Sequence, residues 1–434
     1  MCVCLPTVCL ATKMASVTFL RKGGRNTHYA QEVGHRSHSG DTAMGKLICS
    51  RCKQVFEQPS DGRCPQCYAE GHEIYDFKNS DEVLKREIPR VLEQRRKAGL
   101  EGLVEGLEAV IINTEPDRQR AAVEELLHTT GFQCVDAFED AHYRSCVLQA
   151  GGSADFVIRS RKEESNPFAP FNRFPRSEHL PDTRLETLVF ATPDIERYVT
   201  IQKEQGVQFL TEEILHADSF STIQTAPSRY TGNSIGFAEW HGPRRCYRTH
   251  DSRPLDWRFE KKTSKESLDN ISALDHAATR VRAEDRDAAI LEFMELTNYH
   301  FDFAIYVKLF NSITNVARLS AQDFAMVFTS GISSYVSDET SGPTEKFIHN
   351  YGTRVHHMAF RTENIEDTIS SLRDDGQAFL IDLVGSPQEG LKQTFTTASQ
   401  HTLLVNEYIY RYGDFDGFFT RSNVTLLTGA TGKQ

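Results

Sequence analysis

Three positions in the second half of the chain could hold a metal ion. They are His276 in "LDHAATR", one of the adjacent pair His356 and His357 in "RVHHMAFRTENIEDT", and Glu407 in "NEYIYRYG". Two imidazoles and one carboxylate from separate strands are what a non-haem iron(II) centre uses, because three ligands on one face leave three positions open. One carboxylate leaves a divalent ion with residual positive charge, which favours an anionic chelating substrate with dioxygen bound beside it. Residue type alone is a thin argument, since a strand histidine in a chain with 16 of them is more often packed or exposed than ligating. A second candidate centre lies in "CSRCKQVFEQPSDGRCPQC", where Cys49, Cys52, Cys64 and Cys67 form two CxxC pairs. Four thiolates close a tetrahedral shell, so this site is expected to hold a structural zinc(II), with a rubredoxin-like iron as the lesser option. Cys134, Cys146 and Cys246 fit no ligand pattern.

The elements that must position these residues come in two copies. "RLETLVFATPDIERY" (184–198) aligns with "RVHHMAFRTENIEDT" (354–368), "GLEAVIINTEPDR" with "ALDHAATRVRAEDR", and "FAEWHG" with "VNEYIYRYG". Each copy reads as strand, helix and several strands, followed by a second strand, a helix and further strands. Opposite His276, His356, His357 and Glu407 the first copy carries Ala109, Glu186, Thr187 and Glu239, so the imidazoles occur in one half only. Regular strand alternation puts His357 on the face of Val355 and Ala359, and His356 with Arg354, Met358 and Phe360. Only one of the pair can then face a shared metal, and periodicity does not say which.

Around the copies, the expected units are an extension at residues 1–43 that is disordered or an overlong start, a zinc ribbon at 44–78 and a connecting helix at 79–104. The first module spans 105–245, a polar linker 246–270, the second module 271–425 and a tail 426–434. The connecting helix shows Val83, Leu84, Ile88, Val91 and Leu92 at helical spacing, with Pro89 predicting a kink or a late start.

The duplicated modules, together with "LDHAATR", "GTRVHHMAFRTENIEDTISSLRDDG", "LKQTFT" and "NEYIYRYGDFDGFF", resemble the vicinal oxygen chelate superfamily, and within it the 4-hydroxyphenylpyruvate dioxygenase family. The resemblance spans roughly 105–425 and is better in the second module. It implies an α+β fold of two tandem βαβββ-type modules forming half-open barrels, here preceded by the ribbon. Where the family has Gln-His followed by apolar residues, this chain has His356-His357-Met358, which assigns the ligand to His357 beside His276 and Glu407. It also implies that Gln393 orients the substrate, that Phe395, Phe418 and Phe419 pack around an aromatic ring, and that Ser320 contacts it. The implied activity is oxidative decarboxylation and hydroxylation of an aryl 2-oxo acid by dioxygen, with Fe(II) in the second module and a metal-free first module. Two departures stand out: Asp338 replaces a family amide, and little length is left for a C-terminal lid helix. An extradiol ring-cleaving dioxygenase and an inactive binding or regulatory protein on the same scaffold are the alternatives.

A net charge of −11 opposes nucleic-acid binding, which needs clustered cations, and no apolar run approaches a membrane span. Ten cysteines, four of them in CxxC pairs, favour a reducing, cytoplasmic setting. A protein partner is expected at the ribbon rather than nucleic acid, and a homo-oligomer is compatible with the sequence.

Overall fold

The computed structural model describes residues 78–162, 165–259 and 266–434, with the backbone of three short strands before them. These strands, β1 (Lys46–Cys49), β2 (Val55–Glu57) and β3 (Gly71–Glu73), form an antiparallel sheet in the order β2-β1-β3. Cys52, Cys64 and Cys67 and the side chain of Cys49 lie outside the described residues, as does the extension 1–43. The expected zinc ribbon therefore has no described ligand geometry.

The connecting helix is α1 (Glu82–Ala98), and it starts at once despite Pro89 in its interior. Glu82 in its first turn and Arg95, Arg96 and Lys97 in its last complement the helix dipole, and Gly99 ends it at a positive φ of 77°. Leu84 and Val91 are buried, whereas Leu92 faces solvent. Arg95 does more than cap its own helix, since it donates to the carbonyls of Met294, Asn298 and Tyr299 (3.2, 3.1 and 2.6 Å) in the second module.

The first module runs β4 (Leu107–Asn113), α2 (Gln119–Thr129), β5 (Gln133–Glu139), β6 (Tyr143–Gln149) and β7 (Asp155–Arg161). It continues with β8 (Arg184–Ala191), α3 (Ile195–Glu204), β9 (Leu215–His216), β10 (Phe220–Gln224) and β11 (Ser234–Trp240). After β12 (Arg253–Pro254) and α4 (Glu266–Asp269), the second module begins with β13 (Ile271–Arg280), α5 (Arg286–Leu296), β14 (His300–Val307), β15 (Ser312–Arg318) and β16 (Ala325–Gly331). It is completed by α6 (Pro343–Tyr351), β17 (Arg354–Thr362), α7 (Ile365–Asp374), β18 (Val384–Ser386), β19 (Leu391–Phe395), β20 (Val405–Arg411) and α8 (Arg421–Ala430).

Both sheets have the same strand order. It is β5-β6-β7-β4-β8-β11-β10-β9 in the first, with β12 added beside β5, and β14-β15-β16-β13-β17-β20-β19-β18 in the second. Each module is thus two βαβββ units joined by an antiparallel pair, β4 with β8 and β13 with β17. One face of these strands carries Val110, Ile112, Leu188, Phe190, Met358 and Phe360 into an apolar core shared by both modules. Phe360 meets Phe132 and Phe156 edge-on at 6.2 and 6.0 Å, contacts worth about 0.5–1.5 kcal/mol each beyond burial. The opposite face lines the barrels.

Two expected boundaries differ from the structure. Residues 246–259 are an ordered strap: β12 pairs with β5, the Leu255 N–H donates to the Ala137 carbonyl at 2.9 Å, and Arg144 lies 4.8 Å over the Trp257 ring. Its aperiodic sequence follows from packing by single contacts rather than by a repeating face. The tail 426–434 is not a tail, because α8 crosses its start and Val424 and Leu427 are buried against the second barrel. A helix long enough to cover that barrel does exist in this chain.

Candidate metal centre

His276 comes from β13, His357 from β17 and Glu407 from β20, three adjacent strands of the second sheet. Their donor atoms all lie within 4.8 Å of one another, and all three residues are buried. Glu407 Oε2 is 3.2 Å from His276 Nε2 and 3.3 Å from His357 Nε2. Each of these three atoms is buried without a hydrogen-bond partner. Buried polar atoms are nearly always satisfied, so three orphans converging on one point have the donor set and arrangement of a metal site.

The remaining atoms of the triad are held. Asp275 Oδ1 accepts from His276 Nδ1 at 2.9 Å, which leaves the lone pair on Nε2. Gln393 Nε2 donates to Glu407 Oε1 at 2.6 Å and to the Phe418 carbonyl at 2.9 Å, while Gln393 Oε1 accepts from Asn423 of α8 at 3.2 Å. Burial disfavours the His276 cation, but the Glu407 and Asp275 carboxylates overcome that and raise its pKa to about 9. Burial, His356, His276 and Arg280 push His357 well below its ordinary value.

Strict alternation fails at three points between β13 and β17, and two of them shape the site. Opposite β13, the register of β17 skips from His357 to Val355, so His356 is the extra residue of a β-bulge. Both imidazoles then line the barrel, with His356 Nδ1 2.8 Å from His357 Nδ1 and the rings 6.3 and 4.8 Å from that of Phe395. The bulge corrects the regular alternation that puts the pair on opposite faces, and His357 alone of the two joins the triad. A second bulge, between Leu274 and His276 on β13, turns Asp275 beside its neighbour.

The first module shows what the same scaffold does with other residues. By register, His276 corresponds to Ala109 and His357 to Thr187. Glu407 corresponds to Gly236 rather than Glu239, since Ala359 faces Glu407 where Val189 faces Gly236. Glu239 instead accepts from the Ile195 N–H at 2.9 Å, capping α3, and matched by residue type alone. A Cβ at Gly236 would meet Thr187 and Val189 methyls at 3.0 Å. Glu186, the bulged counterpart of His356, is paired with Arg159 and Arg161, which fill this barrel with ions.

Among the other expected residues, Phe418 lies 5.4 Å and Phe419 6.2 Å from the His276 ring, edge-on. Ser320 is not brought to the centre: it is exposed after β15, where its hydroxyl accepts from the Gln322 N–H. Gln393 is fully engaged with Glu407, Phe418 and Asn423, so it holds Glu407 in place rather than facing the open barrel. Asp338 is exposed and accepts from the Tyr335 hydroxyl at 3.1 Å, putting no charge in the barrel. Asp275, Arg411, Arg361 and Arg280 were missed. Asp275 is adjacent to His276 in "LDH", where regular alternation would point the two side chains to opposite faces.

No family model and no curated protein matches the sequence. Among solved structures, a mutant of 4-hydroxymandelate synthase from Streptomyces coelicolor aligns with a TM-score of 0.57 at 16% identity, covering 76% of this chain and 98% of that one. A xylose isomerase-like TIM barrel/4-hydroxyphenylpyruvate dioxygenase fusion protein aligns with a TM-score of 0.54 at 13% identity, covering 81% of this chain and 58% of that one. The chain shares their fold, here a tandem pair of modules each built of two βαβββ units.

Proposed function

We propose that the chain is a non-haem iron(II) dioxygenase that oxidatively decarboxylates and hydroxylates an aryl 2-oxo acid. The observation that carries this reading is the convergence of three orphaned donors, His276 Nε2, His357 Nε2 and Glu407 Oε2, inside the second barrel. The names of the structural neighbours, one a synthase of 4-hydroxymandelate and one a 4-hydroxyphenylpyruvate dioxygenase fusion, agree with it. When bound, iron(II) would supply a Lewis-acidic centre for a bidentate 2-oxo acid and electrons for the reduction of dioxygen.

The protein's part is positioning and exclusion. Asp275 fixes the His276 tautomer, and Gln393 holds Glu407 so that one oxygen is left for the ion. His357 can donate its Nδ1 proton to His356 and keep Nε2 free. Phe395, Phe418 and Phe419 wall the site and suit an aromatic ring held against the centre, where orientation lowers the barrier. The four N-terminal cysteines are proposed to hold a separate structural zinc.

The test is iron and zinc content of the full chain alongside His357→Ala, Glu407→Ala and Cys64→Ser, then oxygen uptake with 4-hydroxyphenylpyruvate. Iron lost in the first two variants and zinc lost in the third, with keto-acid-dependent uptake in the wild type, supports the reading. Iron retained by His357→Ala would refute the ligand set. Iron binding with uptake driven by a catechol instead would favour the extradiol alternative.

A further inference from the structure

Arg280 closes β13 four residues beyond His276. β13 keeps regular register with β16 from His276 to Arg280, the bulge there lying on β17, so both side chains share the barrel face, with Cα atoms roughly 13 Å apart along the strand. It is 3% exposed, and among the described residues no carboxylate pairs with it. Its contacts are the Pro343 carbonyl, at a long 3.4 Å, His356 Nε2 at 3.1 Å, and the Phe347 ring 4.4 Å below the guanidinium. Burial lowers its pKa to about 9, which leaves it cationic at neutral pH. A buried, unneutralised guanidinium is costly, so its retention needs a reason. It borders a cavity of about 40 Å³ that also touches His356, His357, Phe395 and Phe419, next to the triad.

The proton bookkeeping of the histidine pair sharpens the point. His356 Nδ1 and His357 Nδ1 are 2.8 Å apart, so one donates to the other. If His357 Nε2 is to bind a metal, the proton of His357 sits on Nδ1 and goes to His356 Nδ1. His356 then carries its own proton on Nε2, which is 2.6 Å from the Gln434 Oε1 acceptor. In that state Arg280 Nη2 faces an N–H, not a lone pair. The reverse arrangement, with Arg280 donating to His356, places the His357 proton on Nε2 and blocks the ligand position. The metal-competent tautomer therefore strips Arg280 of its best acceptor.

We propose that Arg280 receives a second anionic group of the substrate, a carboxylate, at the end remote from the chelating 2-oxo acid. The planar guanidinium fork matches a carboxylate, and Ser312, Thr314 and Thr329 line the same cavity, giving it a polar wall. This rests on the metal-site reading for the tautomer and on Arg280 itself for the charge. The substrate would then be an aryl 2-oxo acid with an acidic substituent rather than a neutral phenol.

The test uses the full chain loaded anaerobically with iron(II) and compares 4-carboxyphenylpyruvate with its neutral isostere, 4-carbamoylphenylpyruvate, by calorimetry. The acid is expected to bind about tenfold tighter, with the preference abolished in Arg280→Gln and partly kept in Arg280→Lys. Equal binding in the wild type, or a preference that survives Arg280→Gln, would overturn the assignment. If Arg280→Gln does not fold, the wild-type comparison with Arg280→Lys still decides. If neither keto acid binds, the proposed activity fails, and 4-methylbenzoate against 4-methylbenzamide on metal-free protein tests Arg280 alone by the same criterion.

Discussion

At the scale of single residues, Asp275 has the most consequential set of contacts outside the triad. It accepts from His276, from both terminal nitrogens of Arg411 at 2.7 and 2.8 Å, and from Arg361 Nε at 3.1 Å. Burial opposes its ionisation, but the hydrogen bonds from His276 and Arg411 hold its pKa far below the usual carboxylate range. An ionised Asp275 keeps His276 in the tautomer whose Nε2 points at Glu407. Asp275→Asn keeps the shape, removes the charge and leaves two arginines without their anion. Iron affinity is expected to fall 10- to 100-fold, as for other partners behind ligating histidines. Competition against a chelator measures this directly, and unchanged affinity would mean that the tautomer is set elsewhere. The sequence displayed Asp275, His276, His357 and Glu407, but not the bond between the first two, because a bulge has no periodic signature.

Elements were more legible than their registers. The duplication located the two modules and their succession of strand, helix and strands, and the resemblance implied the βαβββ order that both sheets share. What failed was local: the bulge at His356, the false match of Glu239 to Glu407, and α8, whose "RSNVTLLTGA" has weak helical patterning and is held by packing on the barrel mouth. The start of α6 offers a test at this scale. Glu345 lies in its first turn, fully buried, with Oε1 accepting from the Ala283 N–H at 3.0 Å and the Gly331 N–H at 2.9 Å. Burial and the neighbouring Glu284 raise its pKa from 4.5 to about 8. Between those values the folded state holds a proton that the unfolded state has released, so stability falls as pH rises through that window. Glu345→Gln keeps the acceptor and removes the titration. Denaturant midpoints should agree near pH 4 and diverge towards pH 8 in favour of the variant. Parallel curves would show that Glu345 is ionised in the fold.

For the whole molecule, the question is what makes two modules unfold as one. Their junction carries a pseudo-symmetric exchange. Arg184 at the start of β8 donates to the Thr353 carbonyl at 2.9 Å, and Arg354 at the start of β17 donates to the Thr183 carbonyl at 2.6 Å. Asn172 Oδ1 lies between them and accepts from both, at 3.0 Å each. Both guanidiniums are buried, and burial lowers the pKa of each, to about 10 for Arg354, with the like charge of Arg354 adding to the effect on Arg184. A neutral amide oxygen is thus shared by two cations with no carboxylate bonded to either among the described residues. Asn172→Ala would leave a donor of each arginine unpaired in a dry site and should cost about 2–4 kcal/mol. Because the clasp and the apolar core around Phe360 both span the modules, the loss should lower a single transition rather than split it. Calorimetry with circular dichroism checks this. Two separated transitions in Asn172→Ala would locate the coupling in the clasp alone, and an unshifted midpoint would mean that the arginines find other acceptors. Asn172 sits in an irregular loop with no period or motif, so only the folded chain shows that one amide joins the two halves.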